Sequence, residues 1–230
     1  MIGDDRARAA AADLVAGWIE PGTTIGLGSG RAVRAVIAGL ARRWPDGPPL
    51  RAVVASRSSD AAAREAGIEV VPLNAAADIA LVVDGADEVD GSLQLLKGGG
   101  GALLHEKVLA DAGGGIVVVA EAIKRVGRLG EQYPLPVEVV RFGWEVTARR
   151  VGEALALPEP PPLRTDDGEP FVTEEGHLLL DARLGAEESL HGLAARLSAI
   201  PGVVEHGLFL DTARAVVLGH PDGATEVLRP

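Results

Sequence analysis

The chain has 230 residues, 47% of them hydrophobic, so it is long enough to bury a core and too apolar to be disordered. Its net charge of −11 and its few aromatic residues (three Trp, three Phe and one Tyr) argue against nucleic acid or an anionic membrane as a partner. The absence of cysteine excludes disulfides, thiolate catalysis and Cys-ligated metal centres. Because the net charge is negative, any anionic small molecule must be captured by local positive groups.

The sequence contains no run of about 18 uncharged apolar residues, which a membrane-spanning helix requires. The N-terminal segment MIGDDRARAAAADLVAG mixes acidic with basic residues, and this fits neither a secretory signal nor a transit peptide. We therefore expect a cytoplasmic protein with no membrane partner.

The first half of the chain alternates between helical and strand-like patterns. Helices are predicted over 4–18, 31–44 and 59–66, and strands over 50–56, 68–73, 79–83 and 116–120; TTIGLGSG at 23–30 is predicted to be a short strand that ends in a glycine turn. This alternation predicts a parallel sheet with crossover helices.

The pattern changes after residue 130. Prolines and turn-forming residues become frequent, and the alternation in FVTEEGHLLLDARL indicates antiparallel strands. Two strand-like runs near the end of the chain either rejoin the first sheet or complete a second domain. We predict an α/β fold with a Rossmann-like domain over 1–130 plus 206–230, and a smaller α+β domain over 131–205 that serves oligomerisation or acts as a lid.

The strand over 79–83 delivers acidic side chains at its carboxyl end, where open α/β sheets bind ligands. Four acids follow it: Asp84, Asp87, Glu88 and Asp90. An EF-hand calcium loop would place its glycine at Gly91, which forces Ala86 into the first ligand position and Lys97 into the last. The calcium interpretation therefore fails, and a solvated turn remains the alternative to a site.

The segment KGGGGALLHEK over 97–107 combines a glycine run with the start of a helical pattern. Glycine is entropically costly to order, but its bare backbone and a helix N-terminus together offer N–H groups to an anion. Lys97 precedes Gly98, Gly99 and Gly100, and Glu106 follows them. The segment is therefore a candidate site for a developing oxyanion, with a flexible linker as the alternative.

Gly26, Gly28 and Gly30 form a glycine turn between a strand and a helix. A dinucleotide motif starting at Gly26 would need glycine at Arg31, and no acid follows the next strand to bind a ribose hydroxyl. NAD binding is therefore disfavoured. What remains is either a tight turn or a phosphate site at a helix N-terminus, with Ser29 and Arg31 as donors.

Two further candidates lie at predicted strand ends. Ser56 either binds the same anion or caps the next helix, whereas Ser59 is expected only to cap it. Lys124 follows the strand over 116–120, although a lone lysine in a loop is more often solvated. The five histidines show no metal-ligand spacing, so we predict no metal site.

Several of these segments together resemble the type A ribose-5-phosphate isomerases. They are GLGSG at 26–30, DGADEVDG at 84–91, KGGGGALLHEK at 97–107, KRVGRLG followed by PLPVEV, and IPGVVEHGLF at 200–209. They occur in family order with family-like spacing. The resemblance implies interconversion of ribose 5-phosphate and ribulose 5-phosphate in the pentose phosphate pathway, without metal or cofactor, by a homodimer or homotetramer.

The resemblance also assigns roles to residues. Glu106 matches the base that moves a proton from C2 of the aldose to C1, and Lys97 matches the lysine that, with the glycine N–H groups, holds the enediolate. Asp84 and Asp87 match acids used in ring opening and hydroxyl binding, and Lys124 matches a substrate-binding lysine. Aldose–ketose isomerisation independently requires a base, an oxyanion partner and a means of ring opening.

The sequence departs from the family pattern at two places. Arg31-Ala32 replaces a Ser-Thr pair in the phosphate turn, and Glu121-Ala122-Ile123 precedes Lys124 where an Asp and a hydroxyl residue are usual. Two alternatives follow: an isomerase for another phosphorylated aldose, or a sugar-phosphate-sensing module without turnover. Retention of Glu106 and Lys97 argues against the sensor.

Overall fold

The computed structural model describes residues 2–185 and 189–230, which divide into two compact units. Unit 1 contains residues 2–86, His105–Arg125 and Asp211–Pro230. Unit 2 contains Asp87–Leu104 and the described part of Val126–Leu210.

The helices in chain order are α1 (Ile2–Trp18), α2 (Gly30–Arg43), α3 (Arg57–Glu65), α4 (Leu103–Ala112), α5 (Trp144–Ala154) and α6 (Leu190–Ser198). The strands are β1 (Thr24–Leu27), β2 (Arg51–Val54), β3 (Glu69–Val70), β4 (Leu81–Asp84), β5 (Glu88–Val89), β6 (Leu95–Leu96), β7 (Ile116–Glu121), β8 (Leu135–Val139), β9 (Thr165–Asp166), β10 (Glu169–Pro170), β11 (Leu178–Ala182), β12 (Val203–His206), β13 (Leu208–Phe209), β14 (Ala213–Gly219) and β15 (Thr225–Leu228).

Unit 1 is built on a seven-stranded sheet in the order β15-β14-β7-β4-β1-β2-β3. Every neighbouring pair is parallel except β14 with β15. Ile25 and Leu27 of β1 face a core shared with α1 and α2. Gly26, which points to the opposite face, would bring a Cβ to 3.2 Å from Leu109 of α4. Helices therefore cover both faces, and the Rossmann-like α/β prediction is confirmed.

Unit 2 has α+β architecture. β8 is the central strand of an antiparallel sheet, flanked by β11 and β12, and its Val137 and Val139 join a core with Val151 of α5 and Leu193 of α6. A second small sheet, in the order β13-β6-β5, leads directly into the glycine run. The remaining pair, β9 and β10, forms a short hairpin.

Several helices and strands begin or end at residues other than those predicted from the sequence. The strand predicted over 79–83 is observed at Leu81–Asp84, and the one predicted over 50–56 at Arg51–Val54. The helix predicted over 59–66 begins two residues earlier, at Arg57, because Ser56 rather than Ser59 caps it. Apolar runs locate a strand well but do not show where its ladder of hydrogen bonds ends.

The sequence left open whether the last strands join the first sheet or the second domain, and the structure answers this. β14 and β15 join the sheet of unit 1, whereas β12 and β13 belong to unit 2. The domain division predicted at residues 130 and 206 stays a prediction, because the compactness of a unit does not show that it folds independently. Among the described residues, no helix combines the length and the apolar character needed to cross a membrane.

Candidate active site

Unit 1 brings four predicted site segments to the carboxyl edge of its parallel sheet. β1 leads into Gly28, Ser29 and Gly30, β4 ends at Asp84, and Lys124 lies in a short turn just after β7. Glu106 lies in the first turn of α4. Parallel strands of one sheet end at one edge, and this explains why segments distant in sequence meet there.

Ser29 connects the two buried carboxylates of this group. Its backbone N–H donates to Asp84 Oδ1 at 3.1 Å, and its hydroxyl donates to Glu106 Oε1 at 2.5 Å. Asp84 is 1% exposed and Glu106 is 5% exposed. Ser29 therefore positions a candidate base and a second acid relative to each other, a role the sequence does not indicate.

Only glycine fits at residue 28, because the Asp84 carboxylate occupies the space that a Cβ would take. A Cβ at residue 28 would lie 2.0 Å from the carboxyl carbon of Asp84, much closer than any real contact. The Gly28 N–H bonds to the carbonyl of Val83 at 2.9 Å, so the backbone cannot move away without loss. The glycine turn therefore accommodates the acid at the end of β4.

Ser59, which the sequence assigns to helix capping, has a different role. Its hydroxyl is fully buried and donates to the carbonyl of Gly28 at 2.7 Å. Ser56 is the cap, because its oxygen accepts from the Ser59 N–H at 3.1 Å. The capping assignment for Ser59 is thus wrong, and the residue instead fixes the glycine turn. The run of hydroxyls in SRSSD marks a polar turn but does not reveal this partner.

Three positive side chains of unit 1 differ in how far they are exposed to solvent. Arg31 is exposed in the first turn of α2, and Lys124 is half-buried. Arg8 of α1 is buried and donates to Glu121 Oε1 at 2.7 Å and to Asp5 Oδ1 at 2.8 Å. Burial lowers the pKa of Arg8, but its hydrogen bonds to and the charges of Glu121 and Asp5 raise it further, so the net pKa lies above its ordinary value.

No motif in the sequence singles out Arg8. It shares a helix face with the fully buried Ala11, Ala12 and Val15, three, four and seven residues later. An arginine on an apolar helix face requires a buried partner, and that was the signal.

Unit 2 contains Lys97, the glycine run and Asp87. β6 delivers Lys97, whose N–H donates to the carbonyl of Gly207 at 2.9 Å. Its side chain is buried, with Nζ 5.3 Å from the centre of the Phe209 ring. A Cβ at residue 207 would lie 2.2 Å from the Lys97 carbonyl oxygen, so this approach requires glycine.

Asp87 holds the glycine run from one side. Its Oδ2 accepts from the Gly99 N–H at 2.8 Å, and its own N–H bonds to the carbonyl of Leu96 at 2.8 Å. Gly98 and Gly101 have φ of +102° and +82°, which favours glycine, and the Gly101 N–H closes a turn onto the Gly98 carbonyl at 3.0 Å. The run is therefore an ordered loop, which rejects the flexible-linker alternative.

The other two acids after β4 have structural roles. Glu88 is fully buried and accepts N–H groups from Gly130, Gln132 and Tyr133. Asp90 accepts from two N–H groups of its own turn. No group of three or more His, Asp or Glu side chains suited to a metal ion occurs within the described residues.

A buried carboxylate in the first turn of a helix, beside a glycine turn at a second helix N-terminus, is an arrangement suited to proton transfer on a phosphorylated substrate. The family model of ribose 5-phosphate isomerase A (phosphoriboisomerase A) matches residues 51–223. The Roseiflexus castenholzii ribose-5-phosphate isomerase A is 46% identical over 226 residues, 97% of this chain and 95% of that protein. The chain belongs to the ribose 5-phosphate isomerase A family.

Solved structures agree with this assignment. The ribose 5-phosphate isomerase A of Methanocaldococcus jannaschii superposes with a TM-score of 0.89 at 28% identity, covering 97% of this chain and 98% of that one. A D-ribose-5-phosphate isomerase in complex with phospho-erythronic acid gives a TM-score of 0.91 at 28% identity, covering 99% of each chain.

Proposed function

We propose that this chain interconverts D-ribose 5-phosphate and D-ribulose 5-phosphate, with Glu106 as the base. Family membership supports the reaction, and the observation that carries the assignment of the base is the buried contact of Glu106 with Ser29 in the first turn of α4. Glu106 takes the C2 proton of the open-chain aldose and returns a proton to C1.

The charge that develops on the sugar oxygens needs fixed donors. Lys97 and the N–H groups of the glycine run supply them, and losing one such donor commonly costs about 2.7–4 kcal/mol of transition-state stabilisation. Asp84 and Asp87 act in ring opening and hydroxyl binding. Support for this role is that both carboxylates are already held by backbone N–H groups, so little ordering remains to be done on binding.

The phosphate binds at the N-terminus of α2. The turn of Gly28, Ser29 and Gly30 leads into that terminus, where the first N–H groups of α2 have no partner within the helix; Arg31 and Lys124 add charge, and Ser56 adds a hydroxyl. The exposed setting of Arg31, where the family pattern has a hydroxyl residue, favours a second candidate substrate, a different phosphorylated aldose.

The experiment that tests the function is turnover of ribose 5-phosphate by the purified protein with EDTA present, against a panel of other aldose phosphates. We expect ribose 5-phosphate to give the highest kcat/KM. Higher kcat/KM for another aldose phosphate would support the second candidate, and saturable binding without turnover of any of them would support the sensor.

Oligomerisation and location complete the proposal. We expect a homodimer or homotetramer that acts in the cytoplasm. The resemblance to the family supports the oligomer, as do Phe142 and Val146, apolar side chains of unit 2 that are 94% and 48% exposed in the single chain. Light scattering after size exclusion measures the oligomer mass directly.

A further inference from the structure

Arg164 binds the backbone of the glycine run from the side opposite to Asp87. Its Nη1 donates to the carbonyl of Gly98 at 2.8 Å and to that of Gly99 at 3.1 Å. No sequence motif singles out Arg164, which follows a proline cluster.

Arg164 is itself fixed in place. Its Nε donates to both carboxylate oxygens of Asp181, at 3.2 and 3.0 Å, and its Nη2 donates to Oδ1 at 2.5 Å. Its own N–H bonds to the carbonyl of Leu179 at 2.7 Å, and its carbonyl accepts from Phe171 N–H at 2.9 Å. The side chain is only 14% exposed. The guanidinium is therefore a rigid, charge-balanced donor whose position β11 determines.

The contacts at Gly98 and Gly99 determine the directions of two peptide planes. In a trans peptide the N–H points opposite to the C=O. The peptide from Gly98 to Gly99 is held at both ends, by Arg164 at its carbonyl and by Asp87 at its N–H. The next peptide is held by Arg164 at the Gly99 carbonyl, so the N–H of Gly100 points away from Arg164.

The same contact also polarises that N–H. A carbonyl that accepts a charge-assisted hydrogen bond makes the N–H of its own peptide a stronger donor. Gly100 is exposed, so a ligand can reach this part of the loop.

We propose that Arg164, braced by Asp181, is a positioning residue that directs the Gly100 N–H at the oxyanion of the enediolate. The proposal rests on the proposed function of the glycine run. Arg164 acts through the backbone and touches no reacting atom. Loss of Arg164 should therefore destabilise the transition state, where the charge develops, much more than the ground-state complex with the sugar phosphate.

The test compares Arg164→Gln and Asp181→Asn with the wild type. We expect kcat to fall by roughly 10- to 100-fold, somewhat less than for complete loss of an oxyanion donor, with the KM for ribose 5-phosphate within about threefold. Phospho-erythronic acid carries a carboxylate where the enediolate carries charge, so its inhibition constant should rise with the loss in kcat. Inhibition by inorganic phosphate, which reports the phosphate site alone, should stay within about threefold.

Arg64→Gln is the matched control, since Arg64 also pairs with an aspartate, Asp60, but on the exposed surface of α3. It should leave all four constants unchanged. Arg164→Lys should keep the charge but recover only part of kcat, because an ammonium cannot reproduce the planar fork. If Arg164→Gln does not fold, Arg164→Lys replaces it in the test. The expected result is again a lower kcat with a nearly unchanged KM.

A kcat within twofold of wild type in Arg164→Gln, or in Arg164→Lys where it replaces it, overturns the proposal. So does a parallel loss of kcat, ribose 5-phosphate affinity and phosphate affinity, which indicates general damage. Glu106→Gln measured alongside separates the two claims. If Glu106→Gln is inactive while Arg164→Gln is unchanged, only the positioning role fails; if Glu106→Gln keeps wild-type kcat, the proposed function of the site fails.

Discussion

Gly28→Ala should damage stability and activity together because a Cβ at residue 28 would overlap the Asp84 carboxylate. The added Cβ would lie 2.0 Å from Asp84 Cγ and 2.2 and 2.3 Å from its two oxygens. Asp84 is 1% exposed and accepts from the N–H groups of Ser29 and Gly85. The carboxylate must therefore shift by about 1 Å or more, which disturbs its hydrogen bonds to both donors.

The size of the effect follows from that displacement. Overpacking of a buried position costs about 1–3 kcal/mol, which for a chain of this length lowers Tm by roughly 2–12 °C. Because the Ser29 hydroxyl also bonds to Glu106, the displacement reaches the proposed base, and misplacement of about 1 Å can cost about 100-fold in rate. We expect kcat/KM for ribose 5-phosphate to fall by at least that factor.

Thermal unfolding and steady-state kinetics measure both effects. Gly17→Ala in α1 is the control, since no atom lies within 4 Å of its Cβ, and it should leave kcat unchanged and Tm equal or slightly higher. A double-mutant cycle with Asp84→Ala isolates the clash: Gly28→Ala should cost clearly less stability in the Asp84→Ala background than in the wild type. Equal costs in both backgrounds would refute the reasoning.

Arg8→Ala should lower the free energy of unfolding by about 3–5 kcal/mol in a urea titration, since it leaves Glu121 buried without its cation; a loss below about 1 kcal/mol would contradict the structural role of the pair. Arg31→Ala should raise the KM for ribose 5-phosphate several-fold with little change in kcat, because a phosphate contact is made equally in ground and transition states. An unchanged KM would exclude a phosphate contact by Arg31.

The sequence was sufficient to predict the sheet because its signals are local. Apolar runs mark β4 and β7, and glycine turns and helix patterns follow the strands, so the carboxyl-edge positions of Asp84 and Lys124 could be predicted. The topology then brings these segments to one edge. Ordinary parallel-sheet geometry provides this part of the candidate site.

The residues that organise the site could not be predicted, because their partners are distant in sequence. Ser59 contacts Gly28 and Arg164 contacts Gly98 only through the fold. Glu88 looks like one more acid of the cluster, and its burial against three N–H groups of a later loop leaves no mark in the sequence around it. Long-range hydrogen bonds, unlike helix periods, have no local signature.

The central claim is that Glu106 moves the proton between C2 and C1, and Glu106→Gln tests it most directly. The variant keeps the shape of the side chain and removes its basicity. With ribose 5-phosphate deuterated at C2, we expect a kcat at least 100-fold below wild type, a KM within a few-fold, and loss of deuterium exchange into solvent in the same proportion. Turnover within tenfold of wild type, with exchange retained, would show that a group other than Glu106 moves the proton.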